Sequence, residues 1–149
     1  MFLEGELIYF MPFYFKNGNE PKNKFFLVLR NTDNLTVIAS LPTKVNNAPA
    51  LMDGSHGCVN HDDRKFNCYV FAKNKPVCDN GFSFDLPTHI YGDQIDEYLL
   101  EEITDGNTIA EGKDYKIIGM VTKIELDSIK ECVQSSNGVK RKIKKLLFN

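Results

Sequence analysis

The sequence predicts a mainly β fold of about six to eight short strands, in a small barrel or strongly curled sheet with a C-terminal helix. Short apolar runs are separated by frequent turn residues, a pattern that favours a barrel over a doubly wound sheet. The large side chains are 11 Phe and 6 Tyr without Trp, a composition typical of strands. With 149 residues and 42% apolar composition, residues 1–149 suffice for one domain with a sizeable core.

The first strand and a core hairpin are the clearest elements. Leu7 to Met11 is an apolar run that we expect to be the first strand. Phe25 to Leu29 is continuously apolar, so it suits a strand covered on both faces. Asn31 to Asn34 supplies a turn, because Asn and Asp tolerate left-handed backbone angles. Leu35 to Leu41 then returns as the second strand of the hairpin, and it ends before a proline that cannot donate to a ladder.

The middle of the chain predicts further short strands and one helix. Phe66 to Ala72 is typical of a strand that is partly covered on both faces. Asn80-Gly81 favours a tight hairpin turn, with Phe82 to Phe84 as the returning strand. Thr88 to Tyr91 is expected to be another strand. From Asp93 to Glu102, apolar residues recur at steps of three to four residues, which indicates a short helix.

The last third predicts one strand and two helices. Tyr115 to Leu126 is rich in branched residues and is expected to be a strand. Asp127 and Ser128 are suited to cap the next helix, with Glu131 three residues after Ser128 in capping-box spacing. The final helix, with an apolar stripe from Val139 to Leu147, is expected to lie over one end of the strands.

The overall charge does not identify a partner. The formal net charge is −2 and charged residues make up 26% of the chain, so any RNA contact must be local. No window approaches the roughly 18 apolar residues of a membrane span, and the start has no pattern of a secretory signal. We therefore expect no membrane association and a cytoplasmic location.

Lys24 and Thr43 stand at the two open ends of the predicted hairpin. Lys24 enters the hairpin where Thr43 leaves it. A cation and a hydroxyl brought close at one rim of a small barrel could hold a phosphate. The other interpretation of these two residues is an ordinary solvated strand edge.

Several segments resemble the PemK/MazF-like toxins. Gly5 to Ile8, the strand that starts at Lys24, and Leu41 to Thr43 are similar to the N-terminal half of that family. Its members open with Gly, an acidic residue and apolar residues, carry a basic residue before the second strand, and place Thr or Ser after the third. The similarity extends more weakly to Asp93 to Ile95 and to Ile117 to Leu126.

The resemblance implies an SH3-like β-barrel that forms a homodimer, cuts single-stranded RNA without a metal or cofactor, and is inhibited by an antitoxin protein. Lys24 stands where the family has an Arg, and Thr43 matches its Thr. This Lys is a departure, because an ammonium is a point charge whereas a guanidinium offers a planar fork to phosphate oxygens. The alternative function is a non-catalytic barrel module that binds a partner protein or RNA.

Each candidate residue has an expected role in RNA cleavage. Lys24 would hold the phosphate and its developing charge, and Thr43 would donate a hydrogen bond to it. His61, or a carboxylate from the acidic run between residues 93 and 102, would move protons. That run could equally be a solvated helix face. Basic residues near the hairpin and the loop before it are expected to bind RNA: Lys16, Lys22 and Lys44. The basic residues 140–145 either bind RNA phosphates or form a solvated face.

The cysteines and a histidine-containing loop allow a second interpretation. The 4 cysteines contain no Cys-x-x-Cys pair, so we expect reduced thiols in the core. Zinc is the alternative, because four residues of metal-ligand type lie within a short window. Their spacing fits no standard template, so we expect no metal. These residues are His56, Cys58, His61 and Cys68.

Overall fold

The computed structural model describes residues 2–32, 35–42 and 54–148, and it confirms a mainly β fold with a C-terminal helix. Its strands are β1 (Glu6–Phe13), β2 (Lys22–Thr32), β3 (Leu35–Ser40), β4 (Gly57–His61), β5 (Phe66–Phe71), β6 (Thr88–Tyr91), β7 (Asp96–Leu99) and β8 (Tyr115–Met120). Its helices are α1 (Leu100–Thr104), α2 (Lys123–Gln134) and α3 (Arg141–Phe148).

The strands form two antiparallel sheets. The first has five strands in the order β7-β3-β2-β1-β8, and the second has three in the order β4-β5-β6. Among the described residues, the ladders leave both sheets with free edges and do not close a barrel. Over the same residues, no helix is both long enough and apolar enough to cross a membrane.

The predicted hairpin is confirmed as β2 and β3, and its register decides which side chains share a face. Phe26 lies opposite Ser40, and Val28 lies opposite Ile38. Directly opposed residues point to the same side of a sheet, and so do residues two apart in one strand. Lys24 therefore lies on the face that carries Phe26 and Ser40.

Two main apolar clusters cover the two faces of the first sheet. One is rich in aromatic rings: the ring centroids of Phe13 and Phe26 are 4.0 Å apart, and those of Phe10 and Phe13 are 5.2 Å apart. The other contains buried residues of both sheets and of α2 and α3, among them Leu27 and Ile129, which are both 0% exposed. The second sheet and helices α2 and α3 therefore lie on the face opposite the aromatic cluster, to which α1 contributes Ile103.

The prediction of a helix from Asp93 to Glu102 is wrong for most of that segment. Residues Asp96–Leu99 form β7, which pairs antiparallel with β3, and α1 begins only at Leu100. Tyr98 is buried in the aromatic cluster. The free edge of β3 offers a ladder of backbone hydrogen bonds, and this pairing outweighs the local helical spacing of the apolar residues.

Two other boundaries also differ from the prediction. The strand expected to reach Leu126 ends at Met120, and α2 begins at Lys123 with Thr122 as its cap, whose hydroxyl accepts from the amide of Glu125 at 3.2 Å. Asp127 and Ser128, predicted as the cap, therefore lie inside α2. The segment Phe82 to Phe84 does not form the predicted strand; instead the Val77 amide donates to the Phe82 carbonyl at 2.8 Å to close a turn.

Candidate functional site

A pocket of about 340 Å³, which we call the Lys24 pocket, opens on the aromatic face of the first sheet, near the start of β2 and the end of β3. The register explains its position, because it brings Lys24 of β2 and Ser40 of β3 to the same face beside Phe26. The loop after β1 and strand β7 supply its other walls. The lining residues are Phe15, Asn17, Asn19, Lys24, Phe26, Ile38, Ser40, Gln94, Asp96 and Tyr98.

Among the described residues that line this pocket, Lys24 is the basic one and Asp96 the acidic one. Burial, followed by the nearby charge of Lys22, lowers the pKa of Lys24 from its usual value. Its Nζ lies 5.9 Å from the centroid of the Phe15 ring. None of the ion pairs formed between described residues involves Lys24. The pocket thus contains a half-buried cation without an anionic partner in the described part of the chain, and an anionic ligand would supply one.

Ser40 adds an unpaired hydroxyl to the same pocket. Its Oγ is buried and has no hydrogen-bond partner among the described residues. A buried polar group without a partner costs about 1 to 3 kcal/mol, so such groups are commonly bonded to water or a ligand. A ligand that places an oxygen between this hydroxyl and the Lys24 ammonium would satisfy both groups.

The wall formed by β7 carries one carboxylate, Asp96, which pairs with a second lysine. Lys16 Nζ lies 3.3 Å from Asp96 Oδ1 and 4.7 Å from the centroid of the Tyr98 ring. On the same strand, Lys142 of α3 forms an ion pair with Glu97. Lys16 therefore has its charge compensated by a carboxylate, which leaves Lys24 as the better site for an anion.

The structure brings together only some of the residues predicted for the site. Lys24 lines the pocket, and exposed Lys22 is close enough to influence it. Lys16 does not line the pocket but contacts two residues that do, Asp96 and Tyr98. Thr43 and Lys44 lie outside the described residues. His61 ends β4 in the second sheet, with its ring centroid 6.4 Å from that of Phe66, and it does not line the pocket. Its catalytic role stays a prediction.

Sequence reasoning missed Ser40 and the position of Asp96. The signal for Ser40 was the alternation along β3: Ile38 and Ser40 are two residues apart, so their side chains point to the same face of the sheet. The hairpin register places them opposite Val28 and Phe26. Asp96 belongs to the acidic run between residues 93 and 102, and the pairing of β7 with β3 moves it beside the Lys24 pocket. Neither pairing partner can be read from local spacing.

The expectation of reduced thiols is wrong for two of the cysteines. Cys58 of β4 and Cys132 of α2 form a disulfide with Cα atoms 5.6 Å apart, whereas Cys68 and Cys78 are free and buried. The partners are 74 residues apart, and only the packing of α2 against β4 brings them together. Cys58 therefore offers no thiolate to zinc, and the described residues contain no group of three or more His, Cys, Asp or Glu placed for a metal ion.

A buried polar network lies next to this disulfide. Glu125 of α2 accepts hydrogen bonds from the Tyr69 hydroxyl at 2.7 Å and from His56 Nε2 at 2.5 Å. His56 Nδ1 accepts from the backbone amide of Ala72 at 3.1 Å, which places the ring hydrogen of a neutral imidazole on Nε2. His56 is thus a bonded link between the segment before β4, β5 and α2, and both of its ring nitrogens are occupied.

Comparison with known proteins gives no assignment for the chain: no family model matches it, and no curated protein or solved structure matches it significantly.

Proposed function

We propose that this chain binds single-stranded RNA in the Lys24 pocket and cuts it as a toxin-like endoribonuclease of the PemK/MazF type. The observation that carries the proposal is that one pocket contains both half-buried Lys24 and the hydroxyl of Ser40, neither of which has a partner of the required kind, an anion or a hydrogen-bond partner, among the described residues. A phosphate oxygen accepts hydrogen bonds from both groups, and the ammonium compensates its charge.

The walls of the pocket suit the other parts of a nucleotide. Phe15 presents a partly exposed aromatic ring, on which a base can stack with about 1 to 3 kcal/mol of stabilisation, and the edge of buried Tyr98 forms part of the wall. Three side-chain amides stand around them and can hydrogen-bond to base edges, which are exposed in single strands. These amides belong to Asn17, Asn19 and Gln94.

Cleavage by attack of a 2′-hydroxyl on the adjacent phosphorus needs a stabiliser of the developing charge and groups that move protons. Lys24 fills the first role in this proposal, with Thr43 as the predicted second donor. Among the carboxylates between residues 93 and 102, Asp96 is the candidate for this role, because it lines the same pocket. It would accept the proton of the 2′-hydroxyl, a contribution worth about 10²- to 10⁴-fold in rate. His61 remains the other predicted proton carrier.

The remaining parts of the proposal rest on the resemblance to the toxin family. They are an SH3-like arrangement of the two sheets, a homodimer, and inhibition by an antitoxin protein. The proposed location is the cytoplasm. In mesophilic cytoplasmic proteins disulfides are usually transient or redox-sensing. A cytoplasmic location therefore requires that the Cys58–Cys132 disulfide be of this kind.

A non-catalytic RNA-binding module is the second candidate function. It is favoured by one observation: the Asp96 carboxylate forms an ion pair with Lys16, so the oxygen that would contact the 2′-hydroxyl is already engaged. Binding and cleavage must therefore be measured separately.

The first experiment measures binding of a fluorescein-labelled single-stranded RNA by anisotropy. Lys24→Ala should weaken binding about 10- to 150-fold, since a hydrogen bond to a charged group contributes about 1.5 to 3 kcal/mol. Ser40→Ala should weaken it about fivefold. Lys73→Ala is the matched control, because this lysine is exposed in a turn outside the pocket, and it should change affinity less than about twofold. Equal affinities for Lys24→Ala and Lys73→Ala would contradict the proposal.

The second experiment separates the enzyme from the binding module. Purified protein is incubated with single-stranded RNA in EDTA, and products are resolved on a gel. A toxin-like enzyme yields discrete fragments that disappear with Lys24→Ala and Asp96→Asn, and its expression arrests bacterial growth. Tight binding without fragments, and growth unaffected by expression, would favour the binding module.

A further inference from the structure

A second pocket, of about 480 Å³, lies on the other sheet between β4 and α2, and the disulfide forms part of its wall. Its lining residues are His56, Gly57, Cys58, Tyr69, Ser128, Glu131, Cys132 and Ser135. The two sulfur-bearing residues differ in accessibility: Cys58 is exposed, whereas Cys132 is only 3% exposed. A reagent that enters this pocket therefore reaches the disulfide from the side of Cys58.

We propose that Cys58–Cys132 is a thiol-exchange site, at which a dithiol reduces the disulfide in the folded protein by attacking Sγ of Cys58. This inference is independent of the RNA-binding proposal. Exposed disulfides are the labile and regulatory ones, whereas structural disulfides resist reduction.

The surroundings of Cys132 suit it as the leaving group. Asn67 Nδ2 lies 3.5 Å from its Sγ, so an N–H can donate to the thiolate as it forms. The carbonyl oxygen of Cys68 lies 3.9 Å from the same Sγ. In the disulfide this sulfur carries no hydrogen, so the carbonyl becomes a hydrogen-bond acceptor for it only after reduction. Both the thiolate and the thiol of Cys132 thus find a partner in place.

The exchange balances in two steps. A thiolate of the dithiol forms a bond to Cys58 Sγ, the bond between the two cysteines breaks, and Cys132 leaves with the electron pair. In the mixed disulfide, the first sulfur of the dithiol is bonded to Cys58 Sγ. The second thiolate of the same dithiol then attacks that first sulfur, which closes the cyclic disulfide and releases the Cys58 thiolate. The dithiol is oxidised to its cyclic disulfide, the protein disulfide is reduced, and the two protons of the dithiol end on Cys58 and Cys132.

The neighbouring groups keep the exchange local. The hydrogen bonds of Glu125 to His56 and Tyr69 still join α2 to the segment before β4 and to β5 after the disulfide opens, so the fold can survive reduction. Burial raises the pKa of the Cys68 thiol to about 12 and that of the Cys78 thiol to about 11. Neither free cysteine therefore competes as a nucleophile near neutral pH.

The test is reduction of the folded protein by dithiothreitol, followed by alkylation with iodoacetamide and peptide mass spectrometry. Cys58 and Cys132 should become alkylated together, while Cys68 and Cys78 stay unmodified. The reduction rate should lie within about tenfold of that of the same disulfide in urea-unfolded protein. Free Cys58 before any reductant, or reduction only at the rate of global unfolding, would overturn the proposal.

A surface variant tests the route of attack without disturbing the fold. Glu131 lines the pocket and is exposed, so its carboxylate should repel an incoming thiolate. Glu131→Gln should raise the reduction rate about two- to threefold at low ionic strength. Glu111→Gln, at an exposed position outside the pocket, is the matched control and should leave the rate unchanged. A Glu131→Gln rate equal to that control would show that the thiolate does not pass through this pocket.

Discussion

Removal of the disulfide by Cys58→Ala together with Cys132→Ala should destabilise the protein substantially. The two cysteines are 74 residues apart, so the bond closes about half of the chain into a loop in the unfolded state. For a loop of that length, the chain-entropy relation gives about 4.5 kcal/mol of stabilisation at 25 °C. Losing that contribution corresponds to a fall in melting temperature of about 9 to 18 °C for a protein of this size.

The assay is urea unfolding followed by circular dichroism, for the oxidised protein and the double variant. The midpoint should fall, and the m-value should rise because the unfolded chain without the cross-link exposes more surface. The double variant and the reduced wild type should unfold at the same midpoint. A double variant as stable as the oxidised wild type, with an unchanged m-value, would refute the claim that this bond joins β4 to α2.

Three smaller predictions concern stability. Thr122→Ala should lower the free energy of unfolding by about 1 kcal/mol in urea titrations, because it removes the cap of α2. Asp127→Ala, at an exposed position inside the helix, should lower it by less than about 0.5 kcal/mol. A larger loss for Asp127→Ala than for Thr122→Ala would contradict the observed start of α2. Burial lowers the pKa of His89 below 6.5, so as the pH falls the unfolded chain takes up the proton first, and stability decreases below about pH 6.5. His89→Gln should flatten that decrease. Parallel curves of unfolding free energy against pH for the wild type and the variant would contradict this assignment. Gly138→Ala would bring a methyl to 2.3 Å from the Lys65 carbonyl oxygen and should cost about 1 to 3 kcal/mol by calorimetry; an unchanged melting temperature would contradict this packing.

The parts of the fold that sequence reasoning predicts correctly are those determined locally. The hairpin of β2 and β3 follows from a continuous apolar run, a turn cluster and a second apolar run. The strands β1, β5 and β6 follow from similar short runs. In each case the strand signal and its termination by turn residues lie within about ten residues, the range that local pattern describes.

The parts that it misses depend on distant partners. Asp96–Leu99 becomes a strand only because β3 has a free edge. The end of β8 is hidden because Ile124 continues the apolar pattern, although it is 81% exposed on the first turn of α2. The disulfide joins residues that only the tertiary packing brings together.

The residues of the candidate site likewise fall into those that the local sequence predicts and those that depend on strand pairing. Lys24 is predicted from its place at the start of the hairpin, and the structure adds its burial and the absence of a described ion-pair partner. Ser40 becomes significant only when the register places it beside Phe26 on the face of Lys24. Asp96 required the pairing of β7 with β3, so the composition of the pocket is a property of the sheet rather than of any one segment.

The central claim, that the Lys24 pocket holds single-stranded RNA, is tested most directly by NMR titration of ¹⁵N-labelled protein with a short single-stranded oligonucleotide. RNA bound in this pocket should give saturable shifts at the backbone amides of Lys24, Ser40 and Tyr98, and these shifts should be lost in Lys24→Ala. Shifts confined to the basic helix Arg141–Phe148, or no shifts at millimolar RNA, would contradict it.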